Sequence, residues 1–187
     1  MDIGYLEKCA ERHHKGTLAI AEKLVGLPEA LIESCPVVVK KATDIYLYMP
    51  NSNAQHIDSD YVNPYIMNGA FSLELKMKFL HALETGTKLE AGHRLLDLFA
   101  LLTNESKEFL RSNLKSMCKE SEKCKATAKY FKHEIRVEFN WEMHKLLSNS
   151  DMAFERWRYI YEKKDSTWFA GYTEIQKVLD LRISNLK

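Results

Sequence analysis

The residues of this sequence that are best placed to do chemistry include charged side chains at helical spacing. Arg158 and Glu162 are four residues apart, so on one helix they would face each other as an ion pair. Tyr159 and Tyr161 flank them, and one interpretation is a polar pocket for a nucleotide or an RNA phosphate. The other is a structural network in which Arg158 meets Glu74, because buried charges need partners. Of the two, we expect the structural network.

Metal and cofactor chemistry has no signal in the sequence. His13 and His14 are adjacent and would point about 100° apart on a helix, so they cannot hold one metal together, and we expect both at the surface. P-loop, GxGxxG, HExxH and GxSxG motifs are all missing, as is zinc-ligand spacing. We predict no cofactor and no metal, and buried or partly buried thiols at the cysteines. These are Cys9, Cys35, Cys118 and Cys124.

The element that must position these charges begins near residue 63. Apolar residues cover most of its helical wheel, which predicts a helix inside a bundle with neighbours on several sides. They are Ala70, Phe71, Leu73, Leu75, Met77, Phe79, Leu80 and Leu83. Glu74 and Lys78 interrupt this surface at a spacing of four, with the glutamate first, which is the favourable order. We therefore predict a structural polar network made of Glu74, Lys78, Arg158 and Glu162. Gly92 then breaks the chain before a short amphipathic helix.

Helical periodicity continues along the rest of the chain, with two ambiguous stretches. The run of valines at 37–39 and the alternation at 44–48 permit strand, but we predict helix because no partner strand is evident nearby. Residues 132–143 combine a period-two pattern with apolar steps of four, and there too we predict helix, with extended structure at its start as the alternative. Further helices are predicted at 4–25, 28–34, after Thr103 or Asn104, around 154–161, and after Asp165 or Ser166.

Size and composition indicate one all-α domain spanning 1–187. Gly and Pro are scarce, with 7 and 4 residues, and few turn-rich strand patterns occur. The formal net charge of +1 gives no basis for tight nonspecific binding to nucleic acid, so any RNA contact needs a local patch. No apolar run is long enough to cross a membrane, and the simplest expectation is a reduced, cytoplasmic protein with no membrane contact.

Two stretches of the sequence match motifs that occur together, in the same order, in one protein family. Asn68 through Leu80, followed by Gly92-His93 and Leu98-Phe99, is similar to N-x-A-F-x-x-E-L-x-x-K-x-L and G-H-x-L-x-x-L-F. Residues 153–162 are similar to A-F-x-x-W-R-Y-x-Y-E. In both stretches the chain resembles the HEPN family, the higher eukaryotes and prokaryotes nucleotide-binding domains, and the resemblance implies a single HEPN-like helical bundle.

Many HEPN domains are metal-independent ribonucleases with an Arg four to six residues before a His. The imidazole moves the 2′-hydroxyl proton and the guanidinium stabilises the charged phosphorane. No Arg has that spacing here: Phe139 occupies the arginine position before His144, and Arg136 lies eight residues before it. If the protein cleaves RNA, the resemblance implies His144, Asn140 and Arg136 as the catalytic residues, with Asn140 one helical turn before His144 on the same helix face.

The missing arginine spacing favours a noncatalytic role. We predict a module that binds RNA, a nucleotide or a protein in a phage-defence, toxin–antitoxin or RNA-related system. The alternative is a ribonuclease toxin whose Arg–His motif is degenerate or displaced. The resemblance also implies a homodimer and a partner protein, either an antitoxin or a nucleotidyltransferase. Abundant aromatic residues predict an exposed apolar contact patch. Its candidates are Phe131, Trp141, Trp168, Phe169 and Tyr172.

Overall fold

The computed structural model describes residues 3–26, 36–41, 44–49, 59–89, 92–151 and 167–187, and within these ranges the chain is predominantly helical, as predicted. The helices are α1 (Ile3–Val25), α2 (Val62–Thr85), α3 (Leu95–Leu101), α4 (Asn104–Glu120), α5 (Glu122–Tyr130), α6 (Met143–Ser150) and α7 (Tyr172–Leu186). The strands are β1 (Val37–Lys41), β2 (Asp44–Tyr48) and β3 (Thr167–Phe169). A 3-10 turn spans Ser59–Tyr61 and a π-helical turn spans Phe131–Ile135.

Helix α2 is the central element of the fold. Its apolar side chains are buried around most of the helix, and α1, α3 and α7 pack against it. Gly86 ends it in the left-handed conformation, with its backbone N–H donating to the Ala82 carbonyl oxygen. The predicted buried helix is therefore confirmed. Its predicted contact with residues 154–161 lies outside the described residues.

The polar pair inside α2 is formed as predicted. Lys78 Nζ donates to Glu74 Oε1 at 2.8 Å, and the Glu74 side chain is 2% exposed. His93 Nδ1 also approaches Glu74 Oε1, at 3.0 Å, from the loop before α3. Two of the four residues of the predicted network thus meet. The other two, Arg158 and Glu162, lie outside the described residues.

Buried charges also join α2 to α7 and α7 to α4. Lys76 Nζ donates to Asp180 at 2.6 Å. Arg182 Nε donates to the buried Ser106 hydroxyl at 2.6 Å, while Nη1 of the same guanidinium pairs with Glu105 at 3.0 Å. Lys76 and Arg182 are both buried, so each of these two cations has a partner, and their contacts link α2, α7 and α4.

The helix predicted across 36–49 is wrong, because 37–41 and 44–48 are two antiparallel strands. Strand β1 lies between β2 and β3 and is antiparallel to both, with Val38 opposite Leu47 and Phe169. The valines at 37–39 are buried, which suits β-branched residues in a central strand. Strand β2 begins three residues after β1 ends, so the two ambiguous stretches are partner strands of each other, and the third strand, β3, is more than a hundred residues away along the chain.

The helix predicted across 132–143 is also wrong, and so is the alternative of extended structure at its start, because the π-helical turn occupies that start. The turn closes with the Val137 N–H donating to the Phe131 carbonyl oxygen at 3.0 Å. Arg136 adopts the left-handed conformation, with φ of 57°. From there to Glu142 the backbone is neither helix nor strand, with Phe139 buried between the exposed Glu138 and the half-buried Asn140. The non-helical part therefore follows the helical turn instead of preceding it.

The predicted exposed aromatic patch does not form. Phe131, Phe169 and Tyr172 are buried in the core, and Trp141 and Trp168 are half-buried against it. Phe131 stacks on Phe139 with ring centroids 5.4 Å apart. These rings serve a single core that extends from the sheet to α6.

The two adjacent histidines of α1 are not free surface residues. His13 Nδ1 donates to Asn68 Oδ1 at 2.8 Å, and His14 Nδ1 lies 2.9 Å from the Tyr172 hydroxyl. The Asn68 amide donates in turn to the His13 carbonyl oxygen and to the buried Thr17 hydroxyl, both at 2.8 Å. Both histidines therefore connect α1 to its neighbours, α2 and α7.

Gly171 determines how α7 begins beside α6. It precedes Tyr172 with φ of 69°, a conformation that glycine adopts without strain. A Cβ at this position would lie 2.7 Å from Leu146 Cδ1 of α6. The close approach holds α6 against the start of α7, and α6 carries part of the site described below.

Candidate functional site

A cavity of about 460 Å³ lies between α4 and the segment that leads into α6. Its walls include Asn140 and His144, two of the three residues that the resemblance implied, and it falls within the range of roughly 300–1,000 Å³ for small-molecule sites. Arg136, the third, does not line it. The full lining is Arg111, Lys115, Cys118, Lys119, Asn140, Trp141, Glu142, Met143 and His144.

Helix α4 supplies a row of cations along one side of the cavity. The Thr103 hydroxyl caps the helix by accepting from the Ser106 N–H at 3.3 Å. Leu110, Leu114 and Cys118 are buried at steps of four, and they direct one face of α4 into the core. The next residue in each step is Arg111, Lys115 or Lys119. These three therefore form a parallel row at the edge of the buried face.

The three cations of this row differ in how they are held. Arg111 pairs with Glu108 at 2.8 Å, and its guanidinium lies over the Phe99 ring at 5.3 Å from the centroid. Lys115 and Lys119 are exposed and have no hydrogen bond or ion pair with any described residue. One carboxylate, Glu142, lines the cavity against the three cations. The excess of positive charge favours an anionic ligand.

The opposite wall carries a fixed aromatic ring. Trp141 Nε1–H donates to the Cys124 carbonyl oxygen of α5 at 3.2 Å, and the indole packs against Phe139 at 5.0 Å between centroids. Phe139 is itself held between Phe131 and Trp168. The tryptophan is thus anchored by one hydrogen bond and by the core behind it.

Asn140 and His144 present polar groups beside this ring. The Glu142 backbone N–H donates to Asn140 Oδ1 at 2.8 Å, which assigns the amide oxygen and leaves Nδ2 as the donor. His144 is exposed on the first turn of α6 and makes no hydrogen bond or ion pair within the described part of the chain. Asn140 precedes α6, so these two residues do not share a helix face as predicted.

Cys118 lines the cavity, and it interacts with a second thiol, Cys124, and with the Glu174 carboxyl. A hydrogen bond from the Cys118 thiol to Cys124 raises the pKa of Cys118, together with burial, and lowers the pKa of Cys124. Glu174 of α7 is only half-buried as a residue, but burial of its carboxyl raises its pKa. Cys118 and Cys124 are buried, as predicted for the cysteines, while Cys9 is half-buried and Cys35 lies outside the described residues.

Two of the three residues that the resemblance implied, Asn140 and His144, line the same cavity. Arg136 does not line it, whereas Arg111 of α4 does. The spacing of four in Arg111, Lys115 and Lys119 was visible in the sequence as a basic row beside an apolar one. What no local pattern revealed is that the segment before α6 folds back against this row.

Fold and site together define a small, predominantly helical protein with a basic cavity that has one tryptophan wall. Compared with family models, curated proteins and solved structures, the chain matches none of them. Within the described ranges, no cluster of three His, Cys, Asp or Glu side chains could hold a metal ion. None of the helices described is long and apolar enough to span a membrane.

Proposed function

We propose that the cavity between α4 and α6 binds a phosphate-bearing ligand, an RNA or a nucleotide, without cleaving it. The observation that carries this proposal is the pair of unneutralised lysines, Lys115 and Lys119, at the edge of a cavity with a single carboxylate. Phosphate contacts from lysine and arginine supply most of the sequence-independent affinity for nucleic acids. With a net charge of only +1, this row is the kind of local patch that RNA binding would require.

The state of the polar residues supports binding without catalysis. A general base must be held within hydrogen-bonding reach of the proton it removes, and catalytic imidazoles are usually oriented by a second group. No described residue orients His144. Arg111 is already engaged by Glu108 and Phe99. The HEPN resemblance implied the same class of ligand. The resemblance itself stays a prediction. The homodimer and an antitoxin or nucleotidyltransferase partner also stay predictions.

A second candidate function is metal-independent RNA cleavage, and one observation favours it. Arg111, Asn140 and His144 line the same cavity, so a guanidinium and an imidazole are available at one site despite the missing motif. In this alternative, His144 would take the 2′-hydroxyl proton and Arg111 would stabilise the charged phosphorane.

One experiment separates the two candidates. Labelled single-stranded RNA is incubated with the protein at low salt, with and without a chelator, and both complex formation and RNA length are followed on gels. We expect a salt-sensitive complex and intact RNA. Cleavage that His144→Ala reduces by roughly 10²–10⁴-fold would establish the ribonuclease instead. Absence of any complex at about 50 mM salt would contradict the proposed function, because phosphate contacts are strongest there.

A further inference from the structure

The tryptophan wall gives the cavity a second recognition element that phosphate binding alone does not use. A free phosphate needs cations and hydrogen-bond donors, whereas an indole face suits a flat aromatic group. Trp141 is half-buried, lines the cavity, and is held by its hydrogen bond to Cys124 and by Phe139 behind it. Because the Trp141 ring is already fixed, stacking a ligand on it would cost little side-chain entropy of the protein.

Polar groups for the edge of a flat ring lie on both sides of Trp141 in the sequence. Asn140 has its amide oxygen occupied by the Glu142 N–H, so its Nδ2 is the donor that remains. The Glu142 carboxylate lines the same cavity and only accepts. A donor and an acceptor beside an aromatic face complement the edge of a nucleobase.

We infer that the cavity holds one nucleoside phosphate unit, with its base stacked on Trp141 and its phosphate facing Lys115 and Lys119. This inference rests on the proposed function and narrows it to an unpaired nucleotide, because a base stacked inside a duplex cannot reach the indole. The unit can be a free nucleotide or one residue of a single-stranded RNA. Stacking of a base on an aromatic side chain is tolerant of sequence and adds about 5- to 150-fold in affinity.

Calorimetry with matched probes tests the inference. Adenosine monophosphate, ribose 5-phosphate and inorganic phosphate share the phosphate, but only the first carries a base. We expect the wild-type protein to bind adenosine monophosphate about 5- to 150-fold more tightly than ribose 5-phosphate. Trp141→Leu should remove that difference, while Trp141→Phe should retain part of it. Melting curves of both variants verify that they fold. If Trp141→Leu does not fold, the comparison of the two ligands on the wild-type protein still tests the inference.

A second set of probes distinguishes the sources of the nucleotide. A short single-stranded oligoadenylate and the same strand in a duplex are compared with the free mononucleotide. Tighter binding of the single strand supports an RNA ligand, and equal binding of strand and mononucleotide supports a free nucleotide. Equal affinities for adenosine monophosphate and ribose 5-phosphate would overturn the inference that a base stacks on Trp141, but not the proposed binding of phosphate. If no phosphate-bearing probe binds, both the inference and the proposed function are wrong.

Discussion

Helices α2 and α4 carry the same kinds of polar residue in opposite circumstances. In α2, Glu74 and Lys78 are buried and bond to each other. In α4, Lys115 and Lys119 are exposed at the edge of a cavity and bond to no described residue. The sequence singled out the charges of the central helix, whereas the charges without a partner among the described residues lie on α4, which packs against α7.

The difference teaches that partners, more than residue type, separate structural charges from binding charges. A buried charge must be compensated within the fold, since leaving it alone costs several kcal/mol. A solvated lysine needs no partner for stability and keeps its charge for a ligand. The comparison therefore predicts that polar substitutions in α2 change stability, whereas those in the α4 row change binding.

The largest effect is expected from Lys78→Met, which removes the closest partner of the buried Glu74. Breaking a buried ion pair costs about 3–5 kcal/mol, and the lower end is expected because His93 still reaches the carboxylate. Chemical denaturation of the variant and the wild type measures the loss. A matched double variant, Glu74→Leu with Lys78→Met, should recover most of it. An unchanged midpoint for the single variant would mean that water solvates Glu74 and that the pair is not structural.

An intermediate effect is expected from asparagines on the same two helices. Asn68→Ala in α2 removes the partner of His13 and of the buried Thr17 hydroxyl, and should cost about 1–3 kcal/mol. Asn113→Ala in α4 removes a bond to a carbonyl oxygen of its own helix and should stay within about 0.5 kcal/mol. Thermal melts of the pair provide the comparison. Equal losses of stability in the two variants would contradict the view that polar residues of α2 stabilise the fold more than those of α4.

A smaller, pH-dependent effect is expected at Glu174 of α7, which is neither fully buried like Glu74 nor exposed like the α4 lysines. Burial raises the pKa of its carboxyl in the folded protein, so folding favours the protonated form, and this contribution to stability is lost as pH rises through the folded pKa. Glu174→Gln remains neutral at every pH. The variant should therefore match the wild type at acidic pH and gain relative stability toward about pH 7, as melting curves across this range would show. A variant less stable than wild type near neutrality would contradict the raised pKa.

The central helix was the part of the fold that the sequence predicted best. An apolar surface around most of α2, interrupted by a pair spaced four residues apart, leaves few arrangements other than a buried helix with an internal ion pair. The same local reasoning failed for 36–49 and 132–143. In the first case the two ambiguous stretches are partner strands of each other, and only the third strand, β3, is distant along the chain. In the second, the left-handed Arg136 ends the helical geometry where apolar steps of four suggested that it continued.

Residues on only one of the two walls of the cavity were singled out from the sequence, because the two walls carry different kinds of sequence signal. The chemistry of Asn140 and His144 was recognised by resemblance, on the assumption that they share a helix. The basic row of α4 was overlooked because its periodicity resembles that of an ordinary solvated helix face. Only the packing of the segment before α6 onto α4 converts such a face into a cavity wall.

The most direct test of this account is the salt dependence of RNA binding in Lys115→Gln/Lys119→Gln. The control is Lys8→Gln/Lys15→Gln, which removes the same charge from exposed positions of α1 outside the cavity. The α4 variant should keep its stability within about 0.5 kcal/mol of wild type. Its affinity for single-stranded RNA should fall by about 1.5- to 5-fold per lysine. The slope of log affinity against log salt should become shallower by roughly 0.7 per lysine.

The control should retain the wild-type slope and affinity. Equal losses in both variants, or no loss in either, would contradict the assignment of the α4 row as a phosphate-binding surface.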